Sequence, residues 1–205
     1  SFCNVCIYRL PKNENIVSDR SRCRSCKKKI NWYDNIPLIS YLILKGNCRC
    51  GKIKIDFRYF LVELIAALSF LGIFYLYGLS IVTLLLIVLT IFFIIIFFID
   101  LDHFIIPNEL TFPLMIIGFF KSFDPNINLS LFPNYIESLI GGVFGYILIW
   151  GIITLYMKIR KKEGMGLGDA KLLAAIGLWF GWYSIPYVIF LSSLTALLIS
   201  LPSLI

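Results

Sequence analysis

Residues 64–99 read LIAALSFLGIFYLYGLSIVTLLLIVLTIFFIIIFFI, an unbroken run of 36 positions without a charge. A membrane-crossing helix needs about 20 apolar residues, so this run suits two crossings rather than one. It predicts a helical hairpin that turns near Tyr77 and Gly78 and returns to its starting side at Asp100. A second uncharged run, residues 172–205, follows Gly164-Met165-Gly166-Leu167-Gly168-Asp169-Ala170-Lys171. It is interrupted at Gly181-Trp182-Tyr183-Ser184-Ile185-Pro186, which predicts a short helix followed by a longer one. Each run therefore has an acid at its border, Asp100 or Asp169.

Composition agrees. Hydrophobic residues make up 59% of the 205-residue chain and charged residues 15%, against roughly 25% charged in soluble domains. No large soluble core can be built from this. The expected fold is an all-α polytopic membrane protein, a multi-span helical bundle with a small Cys-rich cytoplasmic domain. A third span is expected from about Leu110 to Phe123, or from nearer Phe104, with Pro107 and Pro113 making its start irregular. Residues 124–134 read as an external loop. A fourth span over 138–157 leads into the basic run Lys158-Ile159-Arg160-Lys161-Lys162.

Charge sets the orientation. The net charge is +7, and 13 of the 19 Lys and Arg residues fall between Arg9 and Arg58. Basic residues beside spans stay in the cytoplasm, so residues 7–58 are read as a cytoplasmic Cys-rich basic domain and 59–205 as the transmembrane domain. Nucleic-acid binding is the rival explanation of a basic patch, and the membrane setting argues against it. The chain starts at Ser1 without a Met and stops at Leu204-Ile205 within apolar sequence. That predicts a preceding span, of which residues 1–6 would be the end.

On this topology Asp100 and Asp169 fall at the same membrane face. Ionisable groups at membrane depth are costly and mark pathways or catalytic sites. Two carboxylates close together in a water-poor site share a proton. One can then take a proton from water while the other protonates a scissile carbonyl, which is aspartic-protease chemistry and needs no metal or Ser/Cys nucleophile. Gly166 and Gly168 would allow close backbone approach to the second acid. The plainer reading is that each acid caps a helix or sits at the polar interface, and Asp102 and His103 could equally be the polar groups that matter.

Ile99-Asp100-Leu101-Asp102-His103-Phe104-Ile105-Ile106-Pro107-Asn108-Glu109-Leu110-Thr111 resembles the first catalytic block of the prepilin peptidases. These type IV leader peptidases belong to the Gly-x-Gly-Asp aspartic membrane proteases. Residues 164–173 resemble their second block. The resemblance extends to Asn4-Val5-Cys6-Ile7-Tyr8-Arg9-Leu10-Pro11 and to Trp32-Tyr33-Asp34-Asn35-Ile36-Pro37-Leu38-Ile39-Ser40. It implies that Asp100 and Asp169 are the catalytic acids of an endopeptidase in the bacterial cytoplasmic (inner) membrane. The implied substrates are type IV prepilin or pseudopilin precursors, whose basic leader ends in Gly before an apolar helix. It also implies a second activity, N-methylation of the new amino terminus with S-adenosylmethionine. Asn108 departs from the pattern, since many members carry Asp there.

Cys23-Arg24-Ser25-Cys26 and Cys48-Arg49-Cys50-Gly51 form two close pairs. Four thiolates so spaced can complete a tetrahedral zinc site and staple a region with little core, and a cytoplasmic setting argues against disulfides. The resemblance implies two Cys-x-x-Cys pairs and a structural Zn2+. The second pair here is Cys-x-Cys, which leaves free thiols or a degenerate site as the alternatives. Cys3 and Cys6 are read as small buried hydrophobes, in reserve as ligands if Cys48 and Cys50 do not serve.

Two other classes of function fit the same features. A proton-coupled transporter would place its acids deep in the spans and facing a pore. A zinc-ribbon scaffold of a secretion or pilus system would use the acids only structurally. A related peptidase acting on archaeal preflagellins would keep the chemistry and change the substrate, and the Cys block disfavours it.

Overall fold

The computed structural model describes residues 2–16, 38–44, 46–48, 54–125, 127, 131–161 and 166–204. Its elements are helical: α1 (Phe2–Arg9), α2 (Ile39–Ile43), α3 (Phe57–Tyr77), α4 (Ile81–His103), α5 (Asn108–Phe120), α6 (Tyr135–Arg160), α7 (Leu167–Phe180) and α8 (Ser184–Leu204). Short 3-10 turns at Leu10–Lys12 and Lys121–Phe123 follow α1 and α5. Among the described residues, α3, α4, α6 and the Ser184–Leu201 part of α8 are long and apolar enough to cross a membrane. The chain divides into two compact units, Ser1–Phe104 and Ile105–Ile205.

In the first unit the predicted hairpin forms where expected. Gly78 ends α3 at φ 60°, a backbone state that favours glycine, and its N–H bonds to the Phe74 carbonyl at 2.8 Å. Ser80 then caps α4: its Oγ accepts from the Thr83 N–H at 3.2 Å, and Thr83 Oγ1 donates to the Gly78 carbonyl at 2.6 Å. Among the described residues, most of the buried side chains of this unit come from α4, including Leu89, Ile94, Ile95, Ile96 and Ile99. Helix α3 buries only Val62 and leaves an apolar surface suited to lipid. Helix α1 packs on both and buries Cys6 to 3% exposure, the role expected of that residue.

The second unit is organised around α7. The Gly141-x-x-x-Gly145 spacing of α6 removes side chains where the two helices cross, so backbone meets backbone. A Cβ on Gly145 would stand 2.8 Å from the Leu173 carbonyl oxygen, and Gly141 and Gly177 face one another directly. Gly118 of α5 makes room for the ring of Trp179, which is fully buried and donates from Nε1 to the Leu114 carbonyl at 2.8 Å.

Helix ends leave carbonyls without intrahelical donors, and the C-terminal end of α7 satisfies three in a row. The Gly181 N–H bonds to Gly177 at 2.8 Å, Ser138 Oγ to Leu178 at 2.7 Å and Lys121 Nζ to Trp179 at 2.8 Å. The Lys121 ammonium also lies 4.0 Å from the centroid of the Phe132 ring. The predicted break falls at Gly181, with φ 80°, after which α8 begins and buries Ile185 beside Ile149, Ile153, Ala170 and Leu173.

The expected third span, Leu110 to Phe123, is helical from Asn108 and passes into a 3-10 turn that ends at Phe123. Helix α5 has 13 residues, or about 20 Å of rise, and the 3-10 turn continues it toward the far side of a bilayer core about 30 Å thick, so it is shorter than the other spans. Pro107 precedes the helix as its N-cap and Pro113 lies inside it. The count of apolar residues up to Phe123 also took in Lys121, which the fold buries by giving it a carbonyl and an aromatic face.

Candidate active site

Asp100 lies in the last turn of α4, in the first unit, with an exposed side chain. The helix ends at Phe104, a non-glycine residue at φ 54° and ψ 36° whose N–H bonds to the Asp100 carbonyl at 2.8 Å. Asp102 pairs with Arg58 of α3, and the second guanidinium nitrogen donates to the Phe98 carbonyl at 2.8 Å. Among the described residues the Asp100 carboxylate has no hydrogen bond or ion pair, so Asp102 is engaged and Asp100 is available. His103 is exposed on the same turn.

Asp169 lies in the second unit, as the third residue of α7. Gly166 is the N-cap and offers no side-chain cap, while an acid in the first turn stands where the helix dipole favours negative charge. The following Ala170 is fully buried, which fixes the face of the helix on which Asp169 stands. Gly168 is used for close approach, as expected, but the neighbour is the chain itself: a Cβ there would come within 3.0 Å of Ile106 Cβ. A Cβ on Gly166 would meet only the Gly168 nitrogen, at 3.8 Å. Lys171 Nζ donates to Asn108 Oδ1 at 2.6 Å and lies 5.5 Å from the Phe112 ring centroid, tying the start of α7 to the start of α5. The Asn at 108 therefore gives Lys171 a neutral acceptor.

Three residues with evident roles had drawn no notice in the sequence. Arg58 is one, masked there by the general basicity of its region. Glu63 is another: Oε2 accepts from the Leu38 N–H at 3.0 Å, and Asn4 Nδ2 lies 3.5 Å from Oε1 while donating to the Tyr59 carbonyl at 3.2 Å. The segments around Asn4 and Leu38 thus meet at one carboxylate. The acid stands immediately before the long uncharged run, and that position was its signal. Lys171 is the third, and its place two residues after Asp169 was the available clue.

Of the expected zinc ligands, Cys23, Cys26 and Cys50 lie outside the described residues, and Cys48 is half-buried. Among the described residues no three His, Cys, Asp or Glu side chains gather to hold a metal.

Residues 1–77 match the bacterial peptidase A24 N-terminal domain, and residues 87–201 match the type IV leader peptidase family. The prepilin leader peptidase/N-methyltransferase of Pseudomonas aeruginosa is 35% identical over 217 residues, covering 95% of this chain and 73% of that protein. The protein of the same name from Aeromonas hydrophila is 37% identical over 88% of this chain and 60% of its own length. Its counterpart in Neisseria gonorrhoeae is 34% identical over 96% and 76% respectively. No solved structure gives a significant match. With Asp100 and Asp169 each at the end of a helix beside the polar boundary, and with matches running in order through nearly the whole sequence, the chain belongs to the type IV leader peptidase family.

Proposed function

We propose that this protein is a prepilin leader peptidase of the bacterial inner membrane, with Asp100 and Asp169 as its catalytic carboxylates. The observation that carries the reading is the match to the type IV leader peptidase family over residues 87–201, which contains both acids. The positive-inside rule supports a cytoplasmic site, since Arg58 stands at the start of α3 beside the end of α4, and Lys158, Arg160 and Lys161 close α6. A precursor with a basic leader and an apolar helix would present its scissile bond at that boundary. One carboxylate takes a proton from water, the hydroxyl attacks the peptide carbonyl, and the other carboxyl protonates the carbonyl oxygen. Collapse of the tetrahedral species with proton transfer to nitrogen releases the leader acid and a new amino terminus. The test is mass spectrometry of a pilin-like precursor incubated with the purified protein. Wild type should yield the shortened chain, while Asp100→Asn and Asp169→Asn, each inserted normally, should leave the precursor whole. Substantial cleavage by either variant would refute the pair.

Methyl transfer is a second activity, supported by the relatives' shared name. Its cofactor would be S-adenosylmethionine. A cavity of about 280 Å3 in the first unit, bounded by Phe2, Cys3, Glu63 and Phe70, is almost wholly apolar and has a single carboxylate. It does not fit a nucleoside bearing a charged amino acid, so none of its residues is given a part in methylation. The same mass spectra report any added methyl group.

A structural zinc suits the donor chemistry of residues 7–58. The antiparallel bridge between Asn47 and Lys54, with the Ile55 N–H bonded to the Gly46 carbonyl, pairs the residues that flank the Cys48–Cys50 stretch in sequence. Cys23 and Cys26 would complete four thiolates, which hold zinc and supply folding energy. Metal analysis of the purified protein should find about one zinc per chain, lost in Cys23→Ser/Cys26→Ser.

A further inference from the structure

We infer that Arg58 is a positioning residue for Asp100, acting through the last turn of α4; the inference rests on the peptidase reading above. The end of α4 is a place where a helix would fray, because the carbonyls beyond Asp100 lack donors in the helix, and a grip just before and after Asp100 steadies it. Arg58 reaches it from α3 by three contacts. One guanidinium nitrogen donates to the Phe98 carbonyl at 2.8 Å, another pairs with the Asp102 carboxylate, and the guanidinium carbon lies 5.0 Å from the Phe98 ring centroid. Asp100 sits midway between the two polar anchor points, two residues from each. A planar fork fixes orientation as well as distance, which a point charge on a flexible stem does not.

Arg58 is itself held. Asp56 caps α3 by accepting from the Arg58 N–H at 3.0 Å, so the base is anchored at its backbone before its side chain crosses to α4. The pairing also removes Asp102 as a competing base in the same turn. Sidedness alone asks for a positive charge somewhere near the membrane surface; it does not ask for a base that grips a helix carbonyl and the acid two residues beyond Asp100. The clasp therefore presents one unengaged carboxylate, Asp100, on a turn whose rotation is fixed.

The test is steady-state cleavage of a pilin-like precursor, normalised to folded enzyme, for Arg58→Ala, Arg58→Lys, Asp102→Asn and the Arg58→Ala/Asp102→Asn double variant. Arg58→Ala should lower kcat by about tenfold or more with KM within about twofold, as expected for a displaced reacting group. Arg58→Lys should restore part of the rate, Asp102→Asn should lose less, and the double variant should match Arg58→Ala because the two act as one unit. A wild-type kcat in Arg58→Ala, a loss that follows only the folded fraction, or losses that multiply in the double variant would each overturn the inference. Asp100→Asn is run alongside. If it still cleaves, the peptidase reading itself fails; if it is inactive while Arg58→Ala turns over normally, only the positioning role is lost.

Discussion

Replacing Gly177 with Ala adds one methyl group at the point where α7 crosses α6, and the surroundings decide what that methyl does. Its Cβ would fall on the Gly141 carbonyl, well inside van der Waals contact, and 3.0 Å from the Gly142 nitrogen. Those neighbours are backbone atoms, so no rotamer change relieves the clash. The milder case gives the scale: a Cβ on Gly145 stands 2.8 Å from the Leu173 oxygen, and ordinary packing would require the helices to part there by about 0.6 Å. At Gly177 the separation must be larger, about 1 Å or more, which costs about 1–3 kcal/mol as overpacking. Asp169 rides on the same helix, and a misplacement of about 1 Å can cost about 100-fold in rate. Gly177→Ala should therefore lower the unfolding temperature in micelles and reduce precursor cleavage about 10- to 100-fold per folded enzyme. Gly72→Ala and Gly151→Ala are the controls, because a Cβ at either meets nothing within 4 Å. They should keep full activity and gain up to about 1 kcal/mol of stability, since Ala restricts the unfolded chain. Equal behaviour of Gly177→Ala and Gly151→Ala would refute the argument from the crossing.

Lys121→Met keeps much of the apolar stem and removes the donor to the Trp179 carbonyl; the unsatisfied oxygen should cost about 1–3 kcal/mol, read as a lowered unfolding temperature. Phe104→Gly relieves a left-handed backbone that only glycine adopts freely, and should raise stability by up to about 1 kcal/mol in the same assay. Asn108→Asp turns the contact with Lys171 into a partly exposed ion pair. It should gain less than about 1 kcal/mol, with the gain fading as salt is raised.

The hairpin of α3 and α4, the break at Gly181 and the span of α6 were all legible in the sequence, because each follows from one-dimensional physics. Uncharged length sets the number of crossings, and glycine or a capping Ser marks where a helix stops. The border positions of Asp100 and Asp169 were legible for the same reason. What escaped notice depends on pairs of residues far apart in the chain. Counting apolar residues could not show how the third span holds Lys121, because a buried lysine is accommodated only by partners from elsewhere, here Trp179 and Phe132. Gly141, Gly145 and Gly177 are ordinary members of apolar helices until two of them face each other. Arg58 and Glu63 read as charges at a membrane border, and their roles appear only with Phe98, Asp102, Asn4 and Leu38 beside them.

Helix α7 is held differently at its two ends. Its C-terminal carbonyls are held by Lys121, Ser138 and the Gly181 backbone, whereas at its start the N-cap Gly166 brings no capping side chain and the tie is made through the long side chain of Lys171, to Asn108. From Trp179 back to Asp169 is about 15 Å of rise, so the helix works as a lever with its pivot on the side away from the chemistry. A tilt of about 4° at the pivot sweeps the carboxylate through about 1 Å, on the order of the distance that separates reactive from unreactive geometry. Substitutions or lipids that disturb the remote end should thus be felt as changes in turnover, although they touch neither acid nor substrate.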